Sequence, residues 1–229
     1  PALLLRQPRP SWSEHVRVYV PSAPTVAFTR RDVRSPGIVR ATAIARDAGF
    51  EAVVRSPGGR MVAYDEGAVV IDHVTRFTSP RPEGRDTFAA NAEHHASVLR
   101  SLGVDARIGE VEGEYCPGEF SVNVGGRVKV IGSAQRITPT GTLFSAVVQV
   151  VISDRVREVI VAVSDALGYE LSTSTVGGLS DEVPELTPAV VAAALGPEHQ
   201  GPLPDVPASD PRGELPFDVD AWARTATSS

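Results

Sequence analysis

Segments with helical periodicity and short valine-rich runs follow one another irregularly along this chain, and this order constrains its fold more than any other feature. Apolar and alternating runs predict strands at 15–20, 25–29, 51–55, 61–64, 67–74, 104–108, 119–124, 127–132, 133–138 and 143–152. Helical spacing predicts helices from Ser35-Pro36 to Gly49, over 85–102 and 154–167, and from Thr187 through PAVVAAAL. Because strands and helices do not alternate regularly, the order favours an α+β domain with a mixed or antiparallel sheet flanked by helices.

The length and the distribution of proline divide the chain into three parts. Its 229 residues fit one domain with tails. We expect an irregular N-terminal arm over 1–14, a folded domain over 15–196, and a tail over 197–229 that carries six prolines. The opening PALLLRQPRPSW has no charged lead-in and no long apolar region, so it is not expected to be a signal peptide.

Charge and cysteine content exclude several classes of function. The net charge is −6, which argues against nucleic acid or an anionic membrane as the main partner. No apolar run approaches the roughly 18 residues of a membrane span. A single cysteine cannot form an internal disulfide and fits a reducing compartment, so a cytoplasmic protein is expected.

The first candidate site segment is Arg55-Ser-Pro-Gly-Gly-Arg60, between two predicted strands. A turn with Gly58 and Gly59 lets a ligand approach the main chain closely. The flanking Arg55 and Arg60 suit a phosphate or a carboxylate. A plain β-turn with solvated arginines gives the same pattern, so both interpretations stay open.

The second candidate is Glu114-Tyr-Cys-Pro-Gly-Glu-Phe120, which holds the only cysteine of the chain. Cys116 precedes Pro-Gly, so it lies at a chain reversal and not inside a strand. A thiol in such a turn can act as a nucleophile if a nearby cation stabilises its thiolate. The alternative is a buried small apolar side chain, which is common for a lone cysteine.

The third candidate is the run around Lys129, the only lysine among 22 basic residues. Surface lysines can be replaced by arginine, whereas a position that needs a compact ammonium cannot. Alternation with Val128 and Val130 predicts that Lys129 lies on the opposite face of the strand together with Ile131. The following small residues, Gly132, Ser133 and Ala134, leave room for a ligand against the backbone. An edge-strand lysine that prevents aggregation is the alternative.

The histidines do not form a metal site in the sequence. His94 and His95 lie mid-helix without a histidine four residues away, and the other three histidines are scattered. No metal site is therefore expected, and neither a Gly-x-Ser-x-Gly elbow nor a Gly-Lys-Ser phosphate loop is present.

The three candidates occur in the order that resembles the lipoate–protein ligase and octanoyltransferase superfamily, whose fold is shared with biotin–protein ligases. The run 54–67, VRSPGGRMVAYDEG, resembles the ligase pattern R-R-x-S/T-G-G-G-A-V-Y-H-D-x-G, with Arg60 at the third glycine, Tyr64 at the histidine and Asp65 at the aspartate. The family pattern K-I-x-G-S-A is matched by Lys129, Val130, Gly132, Ser133 and Ala134. Gly141-Thr142-Leu143 and the segment 175–186 resemble later motifs, with Thr140 where a histidine is common.

Tyr115-Cys-Pro-Gly-x-Phe resembles the cysteine-bearing transferase branch of this superfamily. The resemblance implies an acyltransferase in which Cys116 takes an octanoyl or lipoyl group as a thioester and a lysine of a carrier domain then attacks it. Lys129 would hold the acyl carbonyl oxygen and stabilise the thiolate. Arg55, Gly58, Gly59, Arg60, Tyr64, Asp65, Gly132, Ser133 and Ala134 would bind the substrate. The carriers would be lipoyl domains, from the glycine cleavage H protein or from a 2-oxoacid dehydrogenase E2.

Two other functions remain open at this point. An ATP-dependent lipoate–protein ligase, or its catalytic half, would use ATP, whereas the transferase requires no cofactor. The ligases usually need an accessory C-terminal domain, and the 33 residues after Gly196 are too few for one, which favours the transferase. The third function is a relative that binds lipoyl or acyl groups without turnover, because Arg60, Tyr64 and Thr140 depart from the family pattern.

Overall fold

The computed structural model describes residues 14–77 and 84–196 and contains two β-sheets. The larger sheet is antiparallel, in the order β1-β5-β9-β8-β7-β6. Its strands are β1 (Glu14–Tyr19), β5 (Ala68–Arg76), β6 (Ala106–Ile108), β7 (Val122–Val124), β8 (Val128–Thr138) and β9 (Gly141–Gln149). The smaller sheet has the order β3-β2-β4 and consists of β2 (Thr25–Phe28), β3 (Glu51–Val54) and β4 (Val62–Tyr64). In it β2 is parallel to β3 and antiparallel to β4.

Among the described residues, four α-helices cover these sheets, in two pairs. They are α1 (Ile38–Asp47), α2 (Gly84–Ser101), α3 (Asp154–Ala166) and α4 (Pro188–Leu195). Helices α2 and α4 pack on the larger sheet through a core that includes Leu99, Phe144 and Val191. Helices α1 and α3 pack on each other and on the smaller sheet around Phe28 and Ile160. The predicted α+β class is therefore confirmed.

Between the two sheets lies a third apolar cluster. Val70 and Val147 from the larger sheet contact Ala27, Val62 and Tyr64 from the smaller one. These side chains are at most 8% exposed. The cluster fixes β4 against the larger sheet, so the turn between β3 and β4 is held at the edge of the interface.

The first helix begins later than the sequence predicts. Ser35 has an extended backbone, with φ −69° and ψ 137°, and its Oγ accepts a hydrogen bond from the Gly37 amide at 3.2 Å. A short 3-10 helix over Asp32–Arg34 precedes it. The chain therefore turns once before α1 begins at Ile38, and Pro36 does not open the helix as predicted. The other three helix starts lie within one residue of the prediction.

Strand β8 is continuous where two strands were predicted. A register shift in its pairing with β7 places Val122 opposite Ile131 and Asn123 opposite Lys129, so one residue of β8 is extra. Ile131 consequently joins the valines in the core under α2, whereas Lys129 faces the other side. The prediction that Ile131 shares a face with Lys129 is wrong, because strict alternation cannot show a bulge.

Two glycines, Gly67 and Gly178, pack directly against the backbone that follows β9. A Cβ on Gly67 would lie 2.1 Å from the Val151 carbonyl oxygen, and one on Gly178 would lie 2.7 Å from that of Val150. The Gly67 carbonyl accepts from the amides of Val150 and Val151 at 3.2 and 2.8 Å. This contact ties the turn after β4 and the segment before α4 to the same stretch of backbone.

Within the described ranges, no helix combines the length and the apolar composition that crossing a membrane requires. Within the same ranges, no cluster of three or more His, Cys, Asp or Glu side chains could hold a metal ion. The predicted tail over 197–229 lies outside the described residues, as does the predicted arm apart from Glu14, with which β1 begins.

Candidate active site

The ammonium group of Lys129 is buried and paired with a carboxylate. Lys129 is 4% exposed, and its Nζ donates to Glu114 Oε1 at 2.9 Å. Glu114 is 1% exposed and also accepts from Ser121 Oγ at 2.7 Å and from the Val111 amide at 3.1 Å. The carboxylate therefore compensates the lysine charge and holds the loop around it.

The same ammonium also holds the loop that carries the cysteine. Lys129 Nζ donates to the backbone carbonyl of Cys116 and lies 5.5 Å from the ring centroid of Tyr115. Burial raises the pKa of the Tyr115 hydroxyl. An ammonium has three N–H groups. The two hydrogen bonds use two of them and leave one for a further acceptor.

The thiol of Cys116 lies against the turn between β3 and β4. Cys116 is half-buried, and a Cβ on Gly59 would be 3.6 Å from its Sγ. Gly59 has φ +95°, a conformation that other residues adopt only with strain, and it is exposed. The sulfur therefore has a neighbour without a side chain, which leaves its approach from the turn open.

Arg55 shapes this turn from the inside. Its Nη2 donates to the carbonyls of Gly58 and Arg60, at 2.8 and 2.9 Å, and lies 3.1 Å from the Cβ position of Gly59. The guanidinium and the Cys116 sulfur are thus both within contact range of one point. Arg55 Nε is buried and has no hydrogen-bond partner among the described residues. Arg55 is therefore a cation in the neighbourhood of the thiol that the sequence did not single out for this role.

Arg60 links the glycine turn to the cysteine loop. Its Nη1 donates to the Tyr115 carbonyl at 3.1 Å, and its guanidinium carbon lies 4.5 Å from the Tyr169 ring centroid. The Tyr169 hydroxyl donates to Asp32 Oδ1 at 2.5 Å, and burial together with this bond raises its pKa. The side chain that replaces the family's third glycine thus joins two loops of the site.

The remaining predicted site residues are placed differently. Gly132 adjoins the lysine, because a Cβ there would lie 3.2 Å from Lys129 Cε. Ser133 and Ala134 follow along β8, where they pair with β9. Tyr64 belongs to the apolar cluster between the sheets. Asp65 is 5% exposed and accepts from the Gly67 amide and from Ser153 Oγ, both at 2.9 Å, so its carboxylate fixes the start of α3.

Three residues of the site were not singled out in the sequence. Glu114, Ser121 and Tyr169 hold Lys129 or Arg60 in place. Glu114 stands two residues before Cys116, and this position within the cysteine motif was the available signal. Tyr169 lies 109 positions from Arg60, and no local pattern connects them.

The arrangement supplies the parts that acyl transfer through a thioester requires. It has a half-buried thiol, a guanidinium beside it and an ammonium with an unused N–H. Such donors can stabilise the oxyanion that forms when a nucleophile attacks a carbonyl carbon.

Comparison with solved structures supports the fold. A crystal structure of lipoate-protein ligase A bound with ATP has a TM-score of 0.66 and 20% identity, covering 84% of this chain and 74% of that one. A putative lipoate protein ligase from T. acidophilum with bound lipoic acid has a TM-score of 0.63 and 21% identity, covering 83% and 73%. At these identities the likeness establishes the fold alone.

Curated relatives are similar in sequence to about half of this chain. An octanoyl-[GcvH]:protein N-octanoyltransferase from Geobacillus kaustophilus is 32% identical over 118 residues, which are 49% of this chain and 39% of that protein. A lipoyl-[GcvH]:protein N-lipoyltransferase from Listeria monocytogenes is 28% identical over 116 residues, 49% of this chain and 40% of that protein. The chain thus spans about 40% of the length of the curated relatives it matches.

The family itself is established by a match over most of the chain. The model of the family described as "Lipoyl protein ligase A/B catalytic domain" matches residues 3–199 and confirms the resemblance of the three motifs. With the fold in agreement, the chain belongs to the lipoyl protein ligase A/B catalytic domain family.

Proposed function

We propose that this chain is an acyltransferase that moves an octanoyl or lipoyl group from one carrier protein to a lysine of another, through a thioester on Cys116. The observation that carries the proposal is the position of the half-buried Cys116 thiol, next to Gly59 and the Arg55 guanidinium. The similarity to relatives named as octanoyl and lipoyl transferases supports it.

In the first half-reaction the Cys116 thiolate attacks the carbonyl carbon of the donor's acyl group. A C–S bond forms, the amide C–N bond to the donor's lysine breaks, and that lysine leaves as an amine with the proton that the Cys116 thiol gave up. The unused N–H of Lys129 and the Arg55 guanidinium are the donors available to the developing oxyanion. We assign Lys129 the acyl oxygen and Arg55 the stabilisation of the thiolate.

In the second half-reaction a lysine amine of the acceptor attacks the thioester. A C–N bond forms and the C–S bond breaks. The amine gives up one proton, which restores the thiol of Cys116. We propose the glycine cleavage H protein as donor, after the relatives' names, and an E2 lipoyl domain as acceptor. No ATP is needed, because one acyl-lysine amide is broken on the donor for each one that forms on the acceptor.

The roles of the other residues follow from their contacts. We propose that Gly58, Gly59 and Gly132 leave the space through which the acyl chain reaches the sulfur and the lysine. Arg60 holds the glycine turn to the cysteine loop, whereas Asp65 fixes the start of α3 and Tyr64 packs between the two sheets. Ser133 and Ala134 line the strand beyond Lys129. A thiol that must stay reduced suits the cytoplasm.

One set of incubations, followed by intact mass, separates this function from the alternatives. Octanoylated H protein and an unmodified lipoyl domain are mixed with the chain without ATP, and octanoyl transfer to the lipoyl domain is expected. The Cys116→Ser variant is expected to lose the transfer while keeping the thermal midpoint within a few degrees, because the half-buried thiol contributes little core volume.

Hydroxylamine and ATP identify the intermediate. An adduct of octanoyl mass on the chain that hydroxylamine removes indicates the thioester. Transfer that occurs only from free octanoate or lipoate with ATP, and that survives Cys116→Ser, would establish the ligase instead. Binding of octanoate without either product would leave the non-catalytic relative as the function.

A further inference from the structure

A run of exposed arginines follows β2. Arg30, Arg31 and Arg34 are exposed, and none of them forms an ion pair among residues 14–77 and 84–196. The acid within this run, Asp32, is 0% exposed. The surface of this segment is therefore wholly cationic, in a chain whose net charge is −6. These three residues are called the arginine rim below.

The backbone that carries the rim is rigid. Asp32 Oδ2 accepts from the Thr29 amide at 2.7 Å and from Thr29 Oγ1 at 2.8 Å. The Val33 amide donates to the Thr29 carbonyl at 3.1 Å. The buried carboxylate thus turns inward and holds a tight turn, which presents its arginines outward.

The rim is also tied to the candidate active site. Thr29 Oγ1, whose hydrogen goes to Asp32, also lies 3.2 Å from the carbonyl oxygen of Gly59, and Asp32 accepts from the Tyr169 hydroxyl, whose ring stacks on Arg60. The exposed glycine turn beside Cys116 and the segment that carries the rim therefore lie close together. Under the proposed function, a protein that delivers an acyl group to the sulfur comes near the rim.

An unpaired cationic rim attracts an anionic partner and costs the folded chain little, because its side chains stay in water. Charges at the edge of an interface act mainly on the association rate and on its salt dependence. We propose that Arg30, Arg31 and Arg34 dock an acidic face of the donor carrier, the octanoylated H protein. This inference rests on the proposed function, and it names the chemistry of the partner surface.

The test compares two variants with equal changes in charge. The rim variant carries Arg30→Gln, Arg31→Gln and Arg34→Gln. The control variant carries Arg40→Gln, Arg46→Gln and Arg155→Gln, which removes three exposed arginines from α1 and α3. The dissociation constant for octanoylated H protein is measured for each protein by calorimetry at 50 and 300 mM NaCl.

The rim variant is expected to bind the carrier about tenfold more weakly at 50 mM salt and to show a flatter salt dependence, whereas the control keeps wild-type affinity. Reaction of Cys116 with an uncharged thioester, octanoyl-N-acetylcysteamine, is expected at the wild-type rate in both variants. Weakening of both variants to the same extent, or no weakening in either, overturns the docking role.

A rim variant that also loses its reaction with the uncharged thioester contradicts the inference in another way, because the arginines would then act within the active site. Failure of the proposed function is recognised separately. If wild-type Cys116 forms no adduct with either acyl donor, the octanoylated H protein or the small thioester, the transferase fails, while the calorimetric comparison still decides whether the rim binds the carrier.

Discussion

Replacement of Glu114 by glutamine tests the buried ion pair at the centre of the site. The substitution keeps the shape of the side chain and removes its charge, which leaves the ammonium of Lys129 buried without compensation. Removing one partner of a buried pair typically costs about 3–5 kcal/mol. We therefore expect Glu114→Gln to lower the free energy of unfolding by that amount and to abolish most acyl transfer.

The hydrogen bonds of Glu114 explain why glutamine cannot substitute for it. The carboxylate accepts three bonds, from Lys129 and Ser121 at Oε1 and from the Val111 amide at Oε2. The amide nitrogen of glutamine is a donor, so in either orientation it faces a donor of the protein. One lost buried bond costs about 1–3 kcal/mol, which is part of the total and not an addition to it.

The measurement is urea unfolding at pH 7, with Glu119→Gln as the matched control in the same loop. Glu119 is 61% exposed and pairs with Arg85, so its loss is expected to cost less than about 1 kcal/mol. Adding Lys129→Met to Glu114→Gln should recover part of the loss, because the uncompensated charge disappears. Equal effects of the Glu114 and Glu119 variants would refute the argument for a buried pair.

Three other substitutions probe the site and the core. Lys129→Arg should lower the kcat of acyl transfer about ten- to a hundredfold with the fold retained, because the broader guanidinium cannot present a single N–H to the acyl oxygen. A kcat near that of the wild type would remove the special role of the lysine. Gly132→Ala should lower kcat about tenfold, because the added Cβ would lie 3.2 Å from Lys129 Cε and displace the lysine. The thermal midpoint should change by less than about 4 °C. An unchanged kcat would show that the lysine tolerates displacement. Burial lowers the pKa of His95 to about 4, so the unfolded chain binds more protons between about pH 4 and 6.5 and stability is lost as the pH falls through that range. In calorimetric scans at pH 7 and pH 4, His95→Leu should remove a pH dependence of the unfolding free energy on the order of 3 kcal/mol. The buried Asp72, whose pKa burial raises, titrates in both proteins, so its contribution cancels in the difference. Parallel stability profiles of the two proteins would contradict this prediction.

The sequence predicted the fold class and most elements because local signals agree with the tertiary structure there. The helix over 154–167 has its apolar residues at helical spacing and a serine cap at Ser153, and Pro188 follows the Thr187 cap of α4. The start of α1 was predicted too early, since the dipeptide Ser35-Pro36 resembles a cap. The bonds of Asp32 that produce the preceding turn involve Tyr169, which is distant in sequence.

The site could be predicted only in part, for a similar reason. The glycine turn, the cysteine and the lysine each stand out locally, and the structure brings Gly59, Cys116 and Lys129 into one set of contacts. Which cation lies beside the sulfur depends on how the turn between β3 and β4 folds over the cysteine loop. No spacing along the chain encodes that contact between Arg55 and its surroundings.

The packing of Gly67 and Gly178 around the end of β9 has a consequence for how such chains diverge. Any side chain at either position would overlap a backbone carbonyl, so selection for a folded domain alone preserves both glycines. Both belong to motifs by which relatives are recognised, so part of that sequence signature indicates the fold and gives no information about catalysis. A descendant that lost its thiol could keep these glycines and still be grouped with the family, so under the proposed function residues 116 and 129 are the better marker of retained activity.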